Sequence, residues 1–508
     1  MISTQSISTQ HSSIQHSSIQ LKNFIDGICL LTDLPKRSFQ ENNAKNKLTF
    51  SKPCLLLSKQ EEPSLASQFS YFMANPTQCL SFSDQDKLEQ WHTQQSFKSS
   101  SKTSSEKASQ LSKSSLEVDK IPLHSGWVGV YSYPSLNTKK LIENDIPLDI
   151  AEFHYYPWVI CLDHKTNILY LLGEPDDAAK AAFSAIQQQT ELPPNKRINL
   201  DFQPTEPNSD QFKSEALKAT VFKATVFKAT VFKATVFKAT WDKPQYKAAF
   251  NTIQNYLVSG DCYQVNLTHP HTSHYSGSAL DAVLPLYKAL NPSFGCYFEG
   301  IDFELISVSP ERFMSISPEG KIEAKPIKGT VRRSNDPIQD QELIDKLKSS
   351  QKDQAENLMI VDLLRNDLSI SATPNSVKVT NLFELETHPN VHHLVSTIHA
   401  KMKDSLSAPQ TIKNAFPGGS ITGAPKKRAM EIIEELEAQP RSLYCGSFGY
   451  YSDTGHTDFN ILIRSLEFRN NTITCWGGGG ITIDSNCDEE YEESLTKVRQ
   501  IMTTIENI

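Results

Sequence analysis

The chain has 508 residues, of which 38% are hydrophobic and 21% are charged, and its formal net charge is −8. This length allows two or more ordinary domains or one large interlocked domain. The acidic balance argues against a surface for nucleic acid, and no run of about 18 apolar residues exists that could form a membrane-spanning helix.

The N-terminal residues lack the pattern of an export signal. Residues 1–20 are rich in Ser, Thr, Gln and Ile, and they repeat His-Ser-Ser-Ile-Gln from His11 and again from His16. This composition predicts a disordered low-complexity tail on a cytoplasmic protein. The nine cysteines are scattered and form no C-x-x-C pair, which predicts reduced thiols and no zinc site.

Residues 21–200 form a first foldable region. They contain runs typical of strands, such as Trp127-Val-Gly-Val-Tyr-Ser-Tyr133 and Trp158-Val-Ile-Cys-Leu162. A stretch rich in Ser and Lys, roughly 95–116, interrupts them and predicts a loop.

A short repeat follows this region. From Lys218 the pentapeptide Lys-Ala-Thr-Val-Phe occurs four times, up to Phe237, and it restarts at Lys238. A period of five moves each Phe to the opposite face of a strand, and in a helix it moves the apolar pair around the axis. We therefore predict that residues 201–242 are a low-complexity linker. The alternative is an added strand or helix packed on the surface.

Residues 243–508 alternate predicted strands with predicted helices, which indicates an α/β or α+β architecture. The strands include Phe303-Glu-Leu-Ile-Ser-Val308 and Thr472-Ile-Thr-Cys-Trp476, and the helices span about 351–366, 425–438 and 488–506.

The helix at 351–366 places a carboxylate beside apolar residues. Glu356 shares a face with Ile360 and Leu363, because spacings of four and three residues bring side chains together on a helix. A carboxylate in such a place must be paired, protonated or metal-bound. A salt bridge to Arg365 or Arg332 is the structural alternative to a metal.

The last helix carries a second acidic group. Glu490, Glu493 and Lys497 lie on one face, and four glycines at 477–480 come shortly before them. Glycines after a strand let the backbone approach a ligand closely. The alternatives are a solvated stripe with a Glu493–Lys497 pair and a tight turn at the glycines.

The sequence of residues 416–426 predicts a loop that leads into a helix. Ser420, Thr422 and free backbone N–H groups at such a junction could hold an anion. The spacing is not that of a nucleotide-binding P-loop.

Several segments of residues 243–508 occur together in the order found in a known family. They are Gly260-Asp-Cys-Tyr-Gln-Val-Asn-Leu-Thr268, Ser309-Pro-Glu-Arg-Phe313, Lys325-Pro-Ile-Lys-Gly-Thr330, Ala355-Glu-Asn-Leu-Met-Ile-Val-Asp-Leu-Leu-Arg-Asn-Asp367, Val391-His-His-Leu-Val-Ser396, Gly419-Ser-Ile-Thr-Gly-Ala-Pro-Lys426, Asp458-Phe-Asn-Ile-Leu-Ile-Arg464 and Gly478-Gly-Gly-Ile. On these motifs the chain resembles the chorismate-utilising enzymes, and within them the branch that forms aminodeoxychorismate. Residues 21–200 match only loosely.

The resemblance implies an α+β fold in which two large, mainly antiparallel β-sheets pack face to face with helices outside. It also implies that an N-terminal region (21–200) and a chorismate-binding catalytic region (243–508) interlock around one site.

The resemblance gives Lys328 a special role. Anthranilate synthases carry Ala at this place in the Pro-Ile-x-Gly-Thr segment, whereas the aminodeoxychorismate branch carries Lys. The implied role is a covalent nucleophile that adds to chorismate, with Glu311 as the general acid/base at the departing hydroxyl. The alternative for Lys328, beside Arg332 and Arg333, is an anion-binding surface.

Other roles are implied residue by residue. Glu356 and Glu493 resemble carboxylate ligands of Mg²⁺, with Glu490 nearby. Gln264 stands where the isochorismate-forming branch has a Lys that activates water, which disfavours water as the nucleophile. The residues that resemble substrate contacts are Arg464, Tyr444 and Lys497 for the carboxylates, and Thr422, His393, Gly479, Gly480 and Gln264 around the ring.

The implied reaction is chorismate plus ammonia giving 4-amino-4-deoxychorismate, in the biosynthesis of 4-aminobenzoate and folate. We expect a separate glutamine amidotransferase to supply the ammonia, because the sequence shows no Cys–His–Glu glutaminase region. The alternatives are an anthranilate synthase component I and a non-catalytic, decayed partner subunit.

Overall fold

The computed structural model describes residues 50–58, 68–94, 118, 120–135, 150–166, 168–191, 232–334, 336–387, 391–437 and 439–508. The predicted tail at 1–20, the polar stretch at 95–116 and the first two copies of the repeat lie outside these residues.

The described strands are all paired antiparallel. In chain order they are β1 (Cys54–Leu57), β2 (Phe69–Met73), β3 (Gln78–Phe82), β4 (Gly126–Tyr131), β5 (Ala151–Tyr156), β6 (Trp158–Asp163), β7 (Ile168–Gly173), β8 (Lys233–Ala234), β9 (Lys238–Ala239), β10 (Gln264–Ser276), β11 (Phe294–Glu299), β12 (Glu304–Ser309), β13 (Arg312–Ile316), β14 (Lys321–Ala324), β15 (Ile327–Arg332), β16 (Lys378–Thr387), β17 (Val391–Lys401), β18 (Gly423–Ala424), β19 (Ser447–Ser452), β20 (Thr457–Asn460), β21 (Ser465–Arg469) and β22 (Thr472–Ile481).

The described α-helices flank these strands. They are α1 (Gln85–Gln94), α2 (Asp177–Glu191), α3 (Lys243–Val258), α4 (Val283–Leu290), α5 (Pro337–Ser349), α6 (Gln351–Ser371), α7 (Ala408–Ala415), α8 (Lys426–Leu436) and α9 (Cys487–Glu506). None of these helices is long and apolar enough to cross a membrane.

The strands form two large sheets that mix both parts of the chain. The first has the order β18-β10-β22-β21-β12-β11-β1-β2-β6-β7, with β8 and β9 also paired to β10. The second has the order β15-β17-β14-β13-β20-β19-β4-β5-β3, with β16 on β17. In each sheet a block of strands from after the repeat joins a block from before it, through the β11–β1 pair in the first sheet and the β19–β4 pair in the second. The two parts of the chain therefore share two continuous sheets.

The sheets pack face to face with helices on their outer sides, as the resemblance implied. Phe298 of β11 and Phe448 of β19 meet between the sheets, with ring centroids 5.4 Å apart. Helices α2, α4 and α9 cover the outer face of the first sheet, and α1, α6 and α7 cover that of the second. This arrangement buries both faces of each sheet.

The predicted elements appear where the sequence patterns placed them. The two predicted N-terminal strands are β4 and β6, the other two are β12 and β22, and the three predicted helices are α6, α8 and α9. Two boundaries differ clearly: α6 continues to Ser371, and β22 continues through the four glycines instead of ending before them.

The last copies of the repeat pair with β10. Ala234 of β8 lies opposite Tyr275, and Ala239 of β9 lies opposite His271, so one five-residue unit advances four residues along the partner strand. The extra residue of each unit stays outside the ladder, as in a β-bulge, which is how an odd period fits a sheet. Phe232 is buried in the core. For residues 232–241 the structure therefore shows the added-strand alternative, and the linker prediction is wrong there.

Deletion of residues 218–237 tests how much the repeat matters. It joins Leu217 to Lys238 and brings Phe212 and Lys213 to the places of Phe232 and Lys233. We expect the shortened chain to fold and to keep its activity within a few-fold, because Phe212 can fill the core position. Thermal unfolding and activity with ammonium would measure this.

A second substitution provides the control. In the shortened chain Phe212→Ala should lower stability by about 3–5 kcal/mol, as expected for a buried Phe. In the full chain, where Phe232 fills the core, the same substitution should have little effect. Equal effects in both chains would contradict this assignment.

Candidate active site

Lys328 lies in β15, and its ammonium faces Glu356 on α6. The Nζ atom is 3.2 Å from Oε2 of Glu356, and the side chains are only 19% and 13% exposed. The salt bridge considered for Glu356 therefore exists, but its partner is Lys328 and not Arg365 or Arg332. Arg365 pairs within its own helix with Asp362.

Two glutamates of α9 extend this group of charges. Lys352 of α6 is 3.4 Å from Oε1 of Glu490, and Lys497 is 2.8 Å from Oε1 of Glu493, the pair that the i,i+4 spacing predicted. Burial opposes the charged form of Lys352, but Glu490, Glu356 and Glu493 together raise its pKa. Three carboxylates and three ammonium groups thus form one cluster between α6, α9 and β15.

Strand β22 comes close to this cluster because Gly479 has no side chain. A Cβ atom there would lie 3.3 Å from Oε2 of Glu490 and 3.9 Å from Oε1 of Glu493. The carbonyl of Gly478 accepts a hydrogen bond of 3.0 Å from Lys497. Close packing of a helix against a strand, and not a tight turn, therefore explains these glycines.

The composition of the cluster fits a magnesium ion. Its three glutamates supply only oxygen donors, which Mg²⁺ prefers, and Gly479 leaves space where two of the carboxylates converge. Within the described ranges, no group of three His, Cys, Asp or Glu side chains has a geometry that could already coordinate a metal ion. Here the lysine ammonium groups neutralise the carboxylates.

Glu311 lies just after β12 and is buried, with 7% of its surface exposed. Burial raises the pKa of its carboxyl group to about 7. A hydrogen bond of 2.9 Å from the Ser420 hydroxyl opposes this rise. The positive charges of Lys328, Lys497 and Arg464 oppose it as well. A carboxyl group with this pKa can donate or accept a proton near neutral pH.

Arg464, between β20 and β21, has features of an anion-binding residue. Its backbone φ is 51°, a left-handed conformation that is uncommon for a residue with a side chain. Burial lowers the pKa of its guanidinium, against the opposing charge of Glu311. The guanidinium forms no hydrogen bond or ion pair of its own with the part of the chain that the structure describes. Such a group suits a ligand carboxylate.

Tyr444 contributes an aromatic surface beside the glycine strand. Its ring stacks on Trp476, which directly precedes Gly477, with centroids 5.5 Å apart and an interplanar angle of 6°. Both rings are mostly buried. They belong to the same hydrophobic cluster of the core, next to the glycine strand.

Thr422 and His393 are positioned by local hydrogen bonds. The buried hydroxyl of Thr422 donates to the carbonyl of Gly418 at 3.0 Å. The Nδ1 atom of His393 is 2.8 Å from the hydroxyl of Thr330, two residues from Lys328. His393 thereby ties β17 to the strand that carries the lysine.

Gln264 lies at the start of β10, against the glycine strand. A Cβ atom at Gly480 would be only 2.7 Å from its Nε2 atom. The side chain is fully buried, and neither its amide nitrogen nor its amide oxygen has a hydrogen-bond partner among the described residues. An unpaired buried amide is costly, so this one fits contact with a polar group of a ligand.

The sequence interpretation missed two members of this site. Lys352 lies one turn before Glu356 on α6, so the i,i+4 spacing could have identified it. Trp476 precedes the glycines, but it stacks on Tyr444, which lies 32 positions earlier in the chain, so no local pattern indicated this contact. Ser420 was expected to hold an anion, and it instead donates to Glu311.

The raised pKa of Glu311 predicts an effect on stability. The folded chain keeps the proton up to about pH 7, whereas the unfolded chain releases it near 4.5. This stabilisation is complete below about 4.5 and is lost as the pH rises through 7. Glu311→Gln should therefore gain stability relative to the wild type by on the order of 2 kcal/mol between pH 5 and 8.5. Urea unfolding of both proteins at each pH would measure the difference, and a constant difference would contradict the assignment.

Comparisons with known proteins point to one family. A sequence profile of chorismate binding enzymes matches residues 52–503. Aminodeoxychorismate synthase component 1 of Salmonella typhimurium is 38% identical over 391 residues, which cover 76% of this chain and 78% of that protein. The protein of the same name from Klebsiella aerogenes is 47% identical over 265 residues, 52% of this chain and 58% of its own length.

The fold also matches a solved structure. The crystal structure of anthranilate synthase component I from Streptococcus pneumoniae aligns with a TM-score of 0.64 at 23% identity and covers 91% of this chain and 95% of that one. At this identity the likeness shows the two-sheet fold alone.

Proposed function

Because the chain belongs to the family of chorismate binding enzymes, we propose that it converts chorismate and ammonia into 4-amino-4-deoxychorismate in the cytoplasm, on the route to 4-aminobenzoate and folate. The observation that carries this proposal is the placement of Lys328. Its amine is held at Glu356, within the electrostatic reach of Glu311. The relatives named aminodeoxychorismate synthase component 1 support the same reaction.

In the first step Lys328 gives one proton to the solvent, and its neutral amine then forms a bond between Nζ and C2 of chorismate. Both ring double bonds shift by one position towards C4, the bond from C4 to its hydroxyl oxygen breaks, and the hydroxyl leaves as water with a proton from Glu311. The bound nitrogen then gives a proton to the Glu311 carboxylate, which restores the acid. The pKa of Glu311, about 7, suits this acid role, because a substantial fraction of the carboxyl groups carries the proton at neutral pH.

The second step exchanges the two amines. Ammonia attacks C4, both ring double bonds shift back, and the bond between C2 and Nζ of Lys328 breaks. The lysine amine takes back a proton as it leaves, so the sum is chorismate plus ammonia giving 4-amino-4-deoxychorismate plus water. We propose that a glutamine amidotransferase subunit supplies the ammonia, since the name of the relatives implies a second component.

The remaining residues bind and orient the substrate. We propose that Arg464 and Lys497 hold its two carboxylates. The stacked Tyr444 and Trp476 and the backbone of Gly479 and Gly480 would border the ring. Glu356, Glu490 and Glu493 would hold Mg²⁺, and the ion would supply positive charge to the ring carboxylate.

A product assay tests the proposal. The purified chain is incubated with chorismate, Mg²⁺ and ammonium, and the products are identified by mass spectrometry. We expect 4-amino-4-deoxychorismate, which retains the enolpyruvyl ether. Fluorescent anthranilate would instead identify an anthranilate synthase, and full recovery of chorismate would support a non-catalytic subunit.

A further inference from the structure

A buried ion pair lies beneath the loop that carries Ser420. Glu437 follows α8, and Arg441 lies four residues later; their side chains are 2% and 1% exposed. The two groups form a bidentate contact, with Nη2 of Arg441 at 2.7 Å and Nε at 2.9 Å from the carboxylate oxygens. None of the steps proposed above uses this pair.

The remaining hydrogen bonds of Arg441 go to backbone carbonyls near the site. Its Nη1 atom donates to the carbonyl of Ile421 at 2.8 Å, and its Nη2 atom donates to the carbonyl of Asn266 at 2.8 Å. The side chain of Asn266 also donates to the carbonyl of Ile421, at 3.1 Å. Glu437 in turn accepts from the backbone and the hydroxyl of Thr268. The pair thus joins one turn to β10.

That turn, residues 419–422, reaches the proposed acid directly. Ser420 precedes Ile421 and donates to Oε1 of Glu311 at 2.9 Å. The carbonyl of Thr422 accepts from the backbone N–H of Asn266 at 2.8 Å. One side of the turn is therefore held by Arg441 and β10, while the hydroxyl on its other side contacts Glu311.

We propose that the Glu437–Arg441 pair is a positioning device, which fixes the 419–422 turn so that the Ser420 hydroxyl stays on the carboxyl group of Glu311. This inference rests on the proposed function, in which Glu311 is the acid. A buried ion pair is a poor source of stability, because the loss of hydration offsets much of its attraction. The hydrogen bonds of Arg441 to the turn indicate that the pair contributes to positioning more than to stability.

The test substitutes Arg441 by Lys. Lysine keeps a positive charge beside Glu437, but it cannot reproduce the planar fork that reaches both Ile421 and Asn266. The hydrogen bond from Ser420 lowers the pKa of Glu311. If the turn moves in the variant, this hydrogen bond is lost and its lowering effect disappears. We expect the pKa of Glu311 to rise by about one unit.

The protonation of Glu311 can be followed without turnover. Infrared spectra across the pH range show the protonated carboxyl band, which is assigned by its loss in Glu311→Gln. The other groups near Glu311 remain in place in each variant, namely Lys328, Lys497, Arg464 and the thiol of Cys445. This measurement separates the inference from the proposed function, since an inactive chain would still give a titration.

A double-substitution cycle decides between positioning and general destabilisation. Ser420→Ala should raise the pKa of Glu311 as Arg441→Lys does, and the double variant should raise it no further. The alkaline limb of the pH dependence of kcat/KM should move by the same amount. Glu437→Gln provides a second variant, with a smaller shift expected, should Arg441→Lys fail to fold.

The matched control is Glu152→Gln. Glu152 and His154 form an equally buried pair, 2.7 Å apart, and in the part of the chain that the structure describes this pair has no hydrogen bond to the 419–422 turn. This variant should lose stability and leave the pKa of Glu311 unchanged. An unchanged pKa in both Arg441→Lys and Glu437→Gln, or additive shifts in the double variant, would overturn the inference.

Discussion

Lys328→Ala is expected to form no covalent adduct with chorismate and to make 4-amino-4-deoxychorismate about 1000-fold more slowly or worse. The substitution removes the only atom that the proposed first step joins to C2. When the wild-type chain is given chorismate and Mg²⁺ without ammonia, the adduct should accumulate. Peptide mass mapping would locate it on Lys328.

Lys328→Arg is the control for charge. Arginine keeps a cation beside Glu356, but its guanidinium does not lose a proton in proteins and so cannot attack the ring. The covalent mechanism predicts that both variants are equally slow. If Lys328 instead acted only through its charge, Lys328→Arg would keep most of the activity. An adduct on another residue would also contradict the mechanism.

Slow residual chemistry in Lys328→Ala would be informative. Arg464, Glu311 and the three glutamates remain, so chorismate can still bind and its hydroxyl can still be protonated. Ammonia could then attack C2 directly and give aminodeoxyisochorismate or anthranilate. A switch of product in that direction would support the assignment of Lys328 to C2.

Glu356→Gln and Glu493→Gln are each expected to abolish turnover while the chain stays folded. Glutamine keeps the shape and one oxygen donor but loses the negative charge that holds Mg²⁺. Binding of Mn²⁺ as a probe for Mg²⁺, followed by electron paramagnetic resonance, should weaken at least 10-fold in either variant. This readout does not depend on activity.

Glu492→Gln is the matched control for the metal site. Glu492 lies on α9 beside Glu493, and its exposed side chain faces Arg499. Its substitution should change neither turnover nor the binding of Mn²⁺. Normal activity of Glu356→Gln or Glu493→Gln at saturating Mg²⁺ would remove that residue from the proposed site.

Local patterns were sufficient for the individual elements. Short runs of apolar and aromatic residues located β4 and β6, and spacings of three and four residues were found in α6 and α9, because side-chain direction depends on a few neighbouring residues. The spacing of four residues also predicted the ion pair between Glu493 and Lys497, which the structure contains. Motif order over residues 243–508 identified the family, which a profile over residues 52–503 confirms.

Local patterns failed where a residue depends on a distant partner. The repeat has an unfavourable period for an isolated strand, yet β10 offers an edge that accepts its Lys-Ala pairs around a bulge. The glycines of β22 indicated close approach to a ligand, with a tight turn as the alternative, and in the structure they admit the side chains of Glu490 and Gln264. Neither the pairing of the repeat nor the contacts of the glycines can be predicted from the neighbouring residues in the sequence.

The sequence by itself determined the family, and its motifs named the residues that we propose for the chemistry, including Lys328, Glu311 and the three glutamates. Only the tertiary structure decided their partners: Lys328 with Glu356, Lys352 with Glu490, and Ser420 with Glu311. The physical reason is that burial and charge pairing depend on distances in space. Antiparallel pairing of β15 with β17 and of β10 with β22 sets those distances between residues that lie tens to hundreds of positions apart. The pKa of Glu311 therefore depends on the folded structure around it and cannot be inferred from the motif alone.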